Sequence, residues 1–107
     1  MTPAAVYFEI GQAVLNDKEM KHLDFLAQNL IAKADQETPI LITVMGSADG
    51  NTGSMRRNQH LSEARGKYVF DVLTTKYGIS PERLTVKSEV IKKAATPELS
   101  RAVVISF

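Results

Sequence analysis

The sequence predicts an α/β sandwich, a mixed four-stranded sheet with two helices packed on one face, in the order strand, helix, strand, helix, strand, strand. Three observations predict it. Apolar residues recur at three- and four-residue steps through residues 17–34 and again through 54–77, the pattern of two amphipathic helices. Between them ILITVM, residues 40–45, is short, nearly continuously apolar and rich in β-branched side chains, as a strand buried on both faces should be. After the second helix come two further strand-like runs, LTVKSEV (84–90) and AVVISF (102–107). Each strand–helix–strand step needs a crossover, so part of the sheet is expected to be parallel. The last two strands are about ten residues apart, a length that suits an antiparallel return.

Residues 1–5 read as a lead-in, with Pro3 disfavouring helix, and residues 6–107 as one domain. VYFEI at 6–10 alternates loosely and is β-rich, and Gly11 ends it. Asn16 offers a helix cap, and Glu19, three residues on, gives the capping-box spacing. Met20, Leu23, Leu26, Ala27, Leu30, Ile31 and Ala34 then form one stripe, leaving His22, Asp24, Gln28 and Lys33 to water. A turn at 36–39 leads into the central strand, and residues 46–54 read as a polar, glycine-studded loop. The second helix begins near Ser54 and runs, with a bend expected around 58–61, to Tyr77. Gly78 stops it, and Pro81 follows. Pro97 marks the last connection.

With 107 residues the chain can bury a core without a metal or disulfide staple. It is 44% hydrophobic and 23% charged, as ordinary globular domains are, and its net charge of +1 gives no field for nucleic acid or acidic lipid. The absence of cysteine excludes thiol catalysis and zinc–thiolate sites. No apolar run approaches the ~20 residues of a membrane helix, and the first ten residues lack the basic and apolar segments of a signal peptide. Either a cytoplasmic protein or a piece whose leader and upstream part are missing fits these facts.

Two charged residues stand out around the loop. On a helical wheel with Leu61 at zero, Ala64, Tyr68, Val69, Val72 and Leu73 share an arc from about −60° to +120°, and Arg65 falls inside it at about +40°. A guanidinium buried there needs a structural acid, a set of carbonyls or a ligand carboxylate, the last suiting its planar fork. Asp49 has two readings as well, as an Asx-turn or capping residue or as the acceptor for a ligand ammonium. Asp49 to Gly53 (DGNTG) imitates the start of a calcium loop, but the twelfth position is His60 and not a bidentate Glu. No G-K-[ST] phosphate loop is present. Arg56 and Arg57 could steer anions or be solvated surface. His22 and His60 lack the spacing of a metal pair, and no Ser–His–acid set can be argued from Ser47, Ser54 and Ser62. No catalytic residue, metal or cofactor is expected. An opposite-charge pair suits a zwitterion better than a reaction.

From Gly46 to Val69 the sequence GSADGNTG, four residues on NQHLSEARGKYV, resembles the signature of OmpA-like peptidoglycan-binding domains: G-x-[TA]-D, a loop glycine, then N-x-x-L-S-x-x-R-A-x-x-V. Gly46, Ala48, Asp49, Gly53, Asn58, Leu61, Ser62, Arg65 and Val69 take their places in it. Val6 to Gly11 with Leu15, Tyr77-Gly78-Ile79 with Arg83, and Arg101 with Val103 extend the resemblance over nearly the whole chain. The G-S-A-D form looks most like members from Bacteroides-type bacteria. The resemblance implies noncovalent binding of peptidoglycan. Asp49 would hold the ammonium and Arg65 the carboxylate of the diaminopimelate residue in the stem peptide, with Asn58, Ala48, Leu61, Gly53 and Arg101 around them. It also implies a place on the periplasmic side of the outer membrane, with a barrel or lipid anchor upstream. Departures are Ala48 for Thr, Gly66 for Ala, no glycine after the third strand, and Ser100 and Ala102 where the family has Asn and Arg. Gly66 should weaken the helix by about 1 kcal/mol and mark a tight contact. The readings weighed are a wall tether, an interaction domain of the same fold that has lost wall binding and serves protein assembly, and a hydrolase using Ser54 or Ser62 with His60.

Overall fold

The computed structural model describes residues 3–34, 42–50, 54–91 and 101–106. Its elements are β1 (Pro3–Tyr7), α1 (Asp17–Ala34), β2 (Ile42–Asp49), α2 (Met55–Thr75), a 3-10 turn (Pro81–Arg83), β3 (Leu84–Ile91) and β4 (Ala102–Ser106). The expected order of elements holds. The sheet order is β1-β4-β2-β3, with β2 and β3 parallel and β4 antiparallel to both of its neighbours. β4 does return antiparallel, but it passes over β2 to lie between β2 and β1.

α1 occupies the expected residues. Asn16 caps it: its Oδ1 accepts from the Glu19 N–H at 2.9 Å. The reciprocal half of a capping box is redirected, because Glu19 Oε1 accepts from the Tyr7 N–H of β1 at 2.8 Å. The cap thereby fastens α1 to the sheet edge. Leu23, Ala27 and Leu30 face the core, while Asp24 and Gln28 face water.

The strand bounds differ from the sequence reading chiefly in β1 and β2, and β1 ends at Tyr7, so Phe8, Glu9 and Ile10, read as its second half, lie beyond it. β1 begins at Pro3, inside the segment read as lead-in, because Pro3 to Tyr7 pair with Ser106 to Ala102. Proline is tolerated there, as the first residue of an edge strand. β2 continues through Gly46, Ser47, Ala48 and Asp49, residues read as loop, because β3 offers a parallel partner out to Ile91. The Gly50 N–H then donates to the Ile91 carbonyl at 2.8 Å.

α2 also differs in which side it buries. It runs as one helix through residues 58–61, with Ser54 Oγ accepting from the Arg57 N–H at 3.1 Å. Its buried residues are Asn58, Ser62, Arg65, Gly66, Val69 and Leu73. Ala64 is exposed, and Leu61, Tyr68 and Val72 are half-buried. The buried stripe is therefore rotated from the one drawn through the large apolar residues, toward small ones. The cause is a close approach to β2. A Cβ placed on Gly46 would lie 2.2 Å from the Ser62 carbonyl oxygen and 2.7 Å from the Gly66 nitrogen. One placed on Gly66 would meet Val86 Cγ1 at 3.2 Å, so the tight contact expected at Gly66 is present.

The core lies between sheet and helices, built from Val6, Leu23, Leu30, Ile42, Val44, Val69, Leu73, Val103 and Ile105. At the far end of α2 the Tyr77 hydroxyl donates to Asp24, while Lys76 pairs with Asp24 at 3.8 Å. No helix among the described residues is long and apolar enough to cross a membrane.

Candidate functional site

The carboxyl end of β2, the first three turns of α2, the chain after β1 and the start of β4 surround one open cavity of about 720 Å³. β1 does not stop the ladder at Tyr7: the Phe8 N–H donates to the Arg101 carbonyl at 2.6 Å, and Arg101 Nε donates to the Phe8 carbonyl at 3.2 Å. The chain then turns at Gly11, whose φ of +71° suits glycine, with the Gln12 N–H donating to the Glu9 carbonyl at 3.0 Å. This turn aims the Glu9 and Gln12 carbonyls at α2.

Arg65 receives them. Its Nε donates to the Gln12 carbonyl at 2.9 Å, Nη2 to the Glu9 carbonyl at 3.3 Å and Nη1 to the Ser47 carbonyl at 2.9 Å. The guanidinium carbon lies 5.4 Å from the Phe8 ring centroid, and that ring meets Tyr68 edge-on. Only 1% of Arg65 is exposed. Of the partners weighed from the sequence, a set of carbonyls is what these three bonds provide. Burial, and then the like charge of Arg101, lower the Arg65 guanidinium from 12.5 to about 10, so it carries its charge throughout the neutral range.

The Ser47 carbonyl can serve Arg65 because the β2–β4 ladder ends one residue earlier, at Gly46↔Val103. Beyond that point the Ser47 side chain stands in for backbone. Its Oγ donates to the Ala102 carbonyl at 2.8 Å and accepts from the Ala102 N–H at 3.2 Å. One serine thus closes the gap between two parting strands while its own carbonyl turns to the helix arginine.

The cavity wall brings together Asp49, Asn58, Leu61, Arg65 and Arg101 among the residues the sequence singled out. Asp49, at the end of β2, is half-buried, and Asn58 is 6% exposed. Ala48 is not in the wall. It is fully buried on the α2 side of β2, where it packs and does not line. Gly53 lies outside the described residues, as do residues 36–39 and the connection with Pro97 and Ser100.

The wall also holds Ile10, Gly11, Arg57, His60 and Ala64. Arg57, Leu61 and Ala64 stand one helical turn apart on a single face, so the spacing could have found Arg57. It is instead the residue read above as either steering or solvated. Ile10, 81% exposed, arrives from a distant segment, and no local pattern announces it. The wall's charge is uneven, with three guanidiniums against the one carboxylate of Asp49. Such a cavity can hold a ligand that carries an ammonium and a carboxylate, with a surplus of attraction for anions. Among the described residues no three His, Asp or Glu side chains gather as a metal cage.

Comparison with known proteins bears on the family and the fold. Residues 7–103 match the model of the OmpA family. Outer membrane protein 41 of Porphyromonas gingivalis is 39% identical over 87 residues, which is 81% of this chain and 21% of that protein. The chain thus spans about a fifth of the length of that curated relative. The OmpA-like domain of FopA1 from Francisella tularensis superposes with a TM-score of 0.72 at 26% identity, over 97% of this chain and 70% of that one. The peptidoglycan-associated lipoprotein from Burkholderia pseudomallei shares the fold, with a TM-score of 0.73 at 19% identity over 95% of this chain and 86% of that one.

Proposed function

The chain belongs to the OmpA family, and from that premise we propose that it binds peptidoglycan noncovalently and tethers an envelope protein to the cell wall. The ligand is the diaminopimelate residue of the stem peptide, its ammonium on Asp49 and its carboxylate in the field of Arg65. The domain works on the periplasmic side of the outer membrane, and the envelope names of its relatives support that placement. It acts by binding and breaks no bond.

One observation carries this reading. Asp49 at the end of β2 and Arg65 in the second to third turn of α2, sixteen positions apart in the chain, line a single open cavity. A zwitterion needs one charge of each sign, held rigidly. The three carbonyls that grip Arg65 fix its guanidinium in place, so little ordering is left for the ligand to impose.

Sedimentation with purified diaminopimelate-type peptidoglycan tests it. The wild-type chain should pellet with the wall, and Asp49→Asn should stay largely in the supernatant while its cooperative thermal melting shows an intact fold. Losing a partly buried charge-assisted hydrogen bond of roughly 1.5–3 kcal/mol weakens affinity about ten- to a hundredfold. A wild-type chain that remains in solution, or an Asp49→Asn variant that pellets equally well, overturns the assignment. The first result would favour the protein-assembly reading of the same fold.

A further inference from the structure

The wall of the cavity holds more positive charge than a single zwitterion uses. A ligand with one ammonium and one carboxylate is matched by Asp49 and one guanidinium, yet Arg57, Arg65 and Arg101 all line the space. Two of these are bound into the fold. Arg65 donates to three main-chain carbonyls, and Arg101 donates to the Phe8 carbonyl. Their mutual repulsion contributes to the lowered Arg65 value and would be relieved by an anion between them.

Arg57 is different. It is exposed, and while its backbone N–H donates to Ser54 Oγ, its side chain makes no hydrogen bond or ion pair with a described residue. It is the third residue of α2, whose first turn contains no acid. A basic side chain at the positive end of a helix is unfavourable on local grounds, since the dipole there prefers an anion. Arg57 precedes Leu61 by four residues and Arg65 by eight, so it stands on the cavity side one turn before Leu61 and about two turns before Arg65. Nothing in the packing of α2 calls for arginine at this place.

We propose that the site selects a stem peptide bearing a second free carboxylate beside its diaminopimelate end, and that Arg57 is the specificity-determining residue that reads it. This rests on the wall-binding reading given above and adds a chemical preference to it. A peptide whose neighbouring carboxylate is amidated keeps the Asp49–Arg65 contacts but leaves Arg57 facing a neutral group. The second contact is solvent-exposed at one end, so it modulates affinity and does not decide it.

Two synthetic peptides test the proposal, both ending in diaminopimelate whose main-chain carboxyl is blocked as an amide, and identical apart from one neighbouring group, a carboxylate in the first and a carboxamide in the second. Isothermal titration of the full chain at near-physiological salt should show about tenfold tighter binding of the carboxylate peptide, the size of one well-placed charge-assisted pair. Arg57→Gln should bring that ratio to about one. Arg56→Gln removes a neighbouring exposed arginine that is absent from the cavity wall, and it should preserve the ratio. A wild-type ratio near one, or a tenfold ratio that survives Arg57→Gln, overturns the preference while leaving the wall-binding reading intact. A ratio lost equally in Arg56→Gln overturns it too, by assigning the effect to general charge. Failure of the wild-type chain to bind either peptide overturns both.

Discussion

Gly46→Ala is the sharpest perturbation of this fold, because the added carbon meets main chain and not a side chain that could swing aside. Its Cβ would sit 2.2 Å from the Ser62 carbonyl oxygen, 2.7 Å from the Gly66 nitrogen and 3.0 Å from the Gly66 Cα. Ordinary contact begins near 3.5 Å, so α2 must retreat from β2 by roughly 1 Å at this level. Overpacking of this kind costs about 1–3 kcal/mol where side chains can adjust. Here neither partner can, and the upper end, about 3 kcal/mol, is expected. For a domain of this size that is a fall in melting temperature of roughly 10–15 °C. In urea the midpoint should fall while the slope stays unchanged, since the surface exposed on unfolding is the same. Gly66→Ala is the control on the other side of the contact. Its Cβ meets Val86 Cγ1 at 3.2 Å, a side chain 41% exposed on the edge strand, so it can turn away. The helix then gains about 1 kcal/mol of propensity. Gly66→Ala should therefore be near neutral or mildly stabilising. Equal destabilisation by the two variants, or a Gly46→Ala midpoint matching wild type, would refute the claim that the helix and strand backbones touch at Gly46.

Arg65→Lys keeps the charge but replaces a planar fork by a point donor, leaving at least one of the three carbonyls without its partner; urea unfolding should report a loss of about 2–3 kcal/mol. Ser47→Ala removes the hydroxyl that serves both Ala102 backbone groups and should cost about 1–3 kcal/mol by the same measurement. Burial first, and then the hydrogen bond to Asp24 and its charge, raise the Tyr77 hydroxyl from 10.0 to about 12. A phenolate absorbance titration should therefore show one of the three tyrosines ionising near 12, and Tyr77→Phe should remove that step. Because the folded value lies above the unfolded one, this contribution is fully present below pH 10 and is lost as the pH rises toward 12, so wild type and Tyr77→Phe should converge in stability across that window.

The fold was legible where hydrophobic periodicity is its own evidence. α1 needs only its stripe and the Asn16 cap, both local, and its boundaries are as the sequence implies. The extension of β2 was not legible, because Gly46, Ser47 and Asp49 have poor strand propensity. They are extended only because β3, some forty residues away, offers a parallel partner. The rotated face of α2 has a related cause. Wheels weight large apolar residues, but where two backbones approach, the interface is made by small ones, and Ser62 and Gly66 carry little hydrophobic signal. β4's place between β1 and β2 depends on pairings with both neighbours, which no single segment encodes.

The site divides along the same line. The wheel identified Arg65 as buried because a charge in an apolar arc is a local contradiction, and burial is what the structure has there. Its bonding partners were illegible, since every residue carries a carbonyl and only a folded turn decides that those of Glu9, Gln12 and Ser47 converge. This convergence makes Arg65 structural and a candidate ligand group at once. Three bonds to two segments, the turn after β1 and the end of β2, fix the guanidinium, and a fixed charge binds an anion with less loss of freedom than a mobile one. A substitution there removes fold stability and field together. Ligand contacts are therefore better read from Asp49 and Arg57, which line the same cavity, with the fold of each variant checked by its melting.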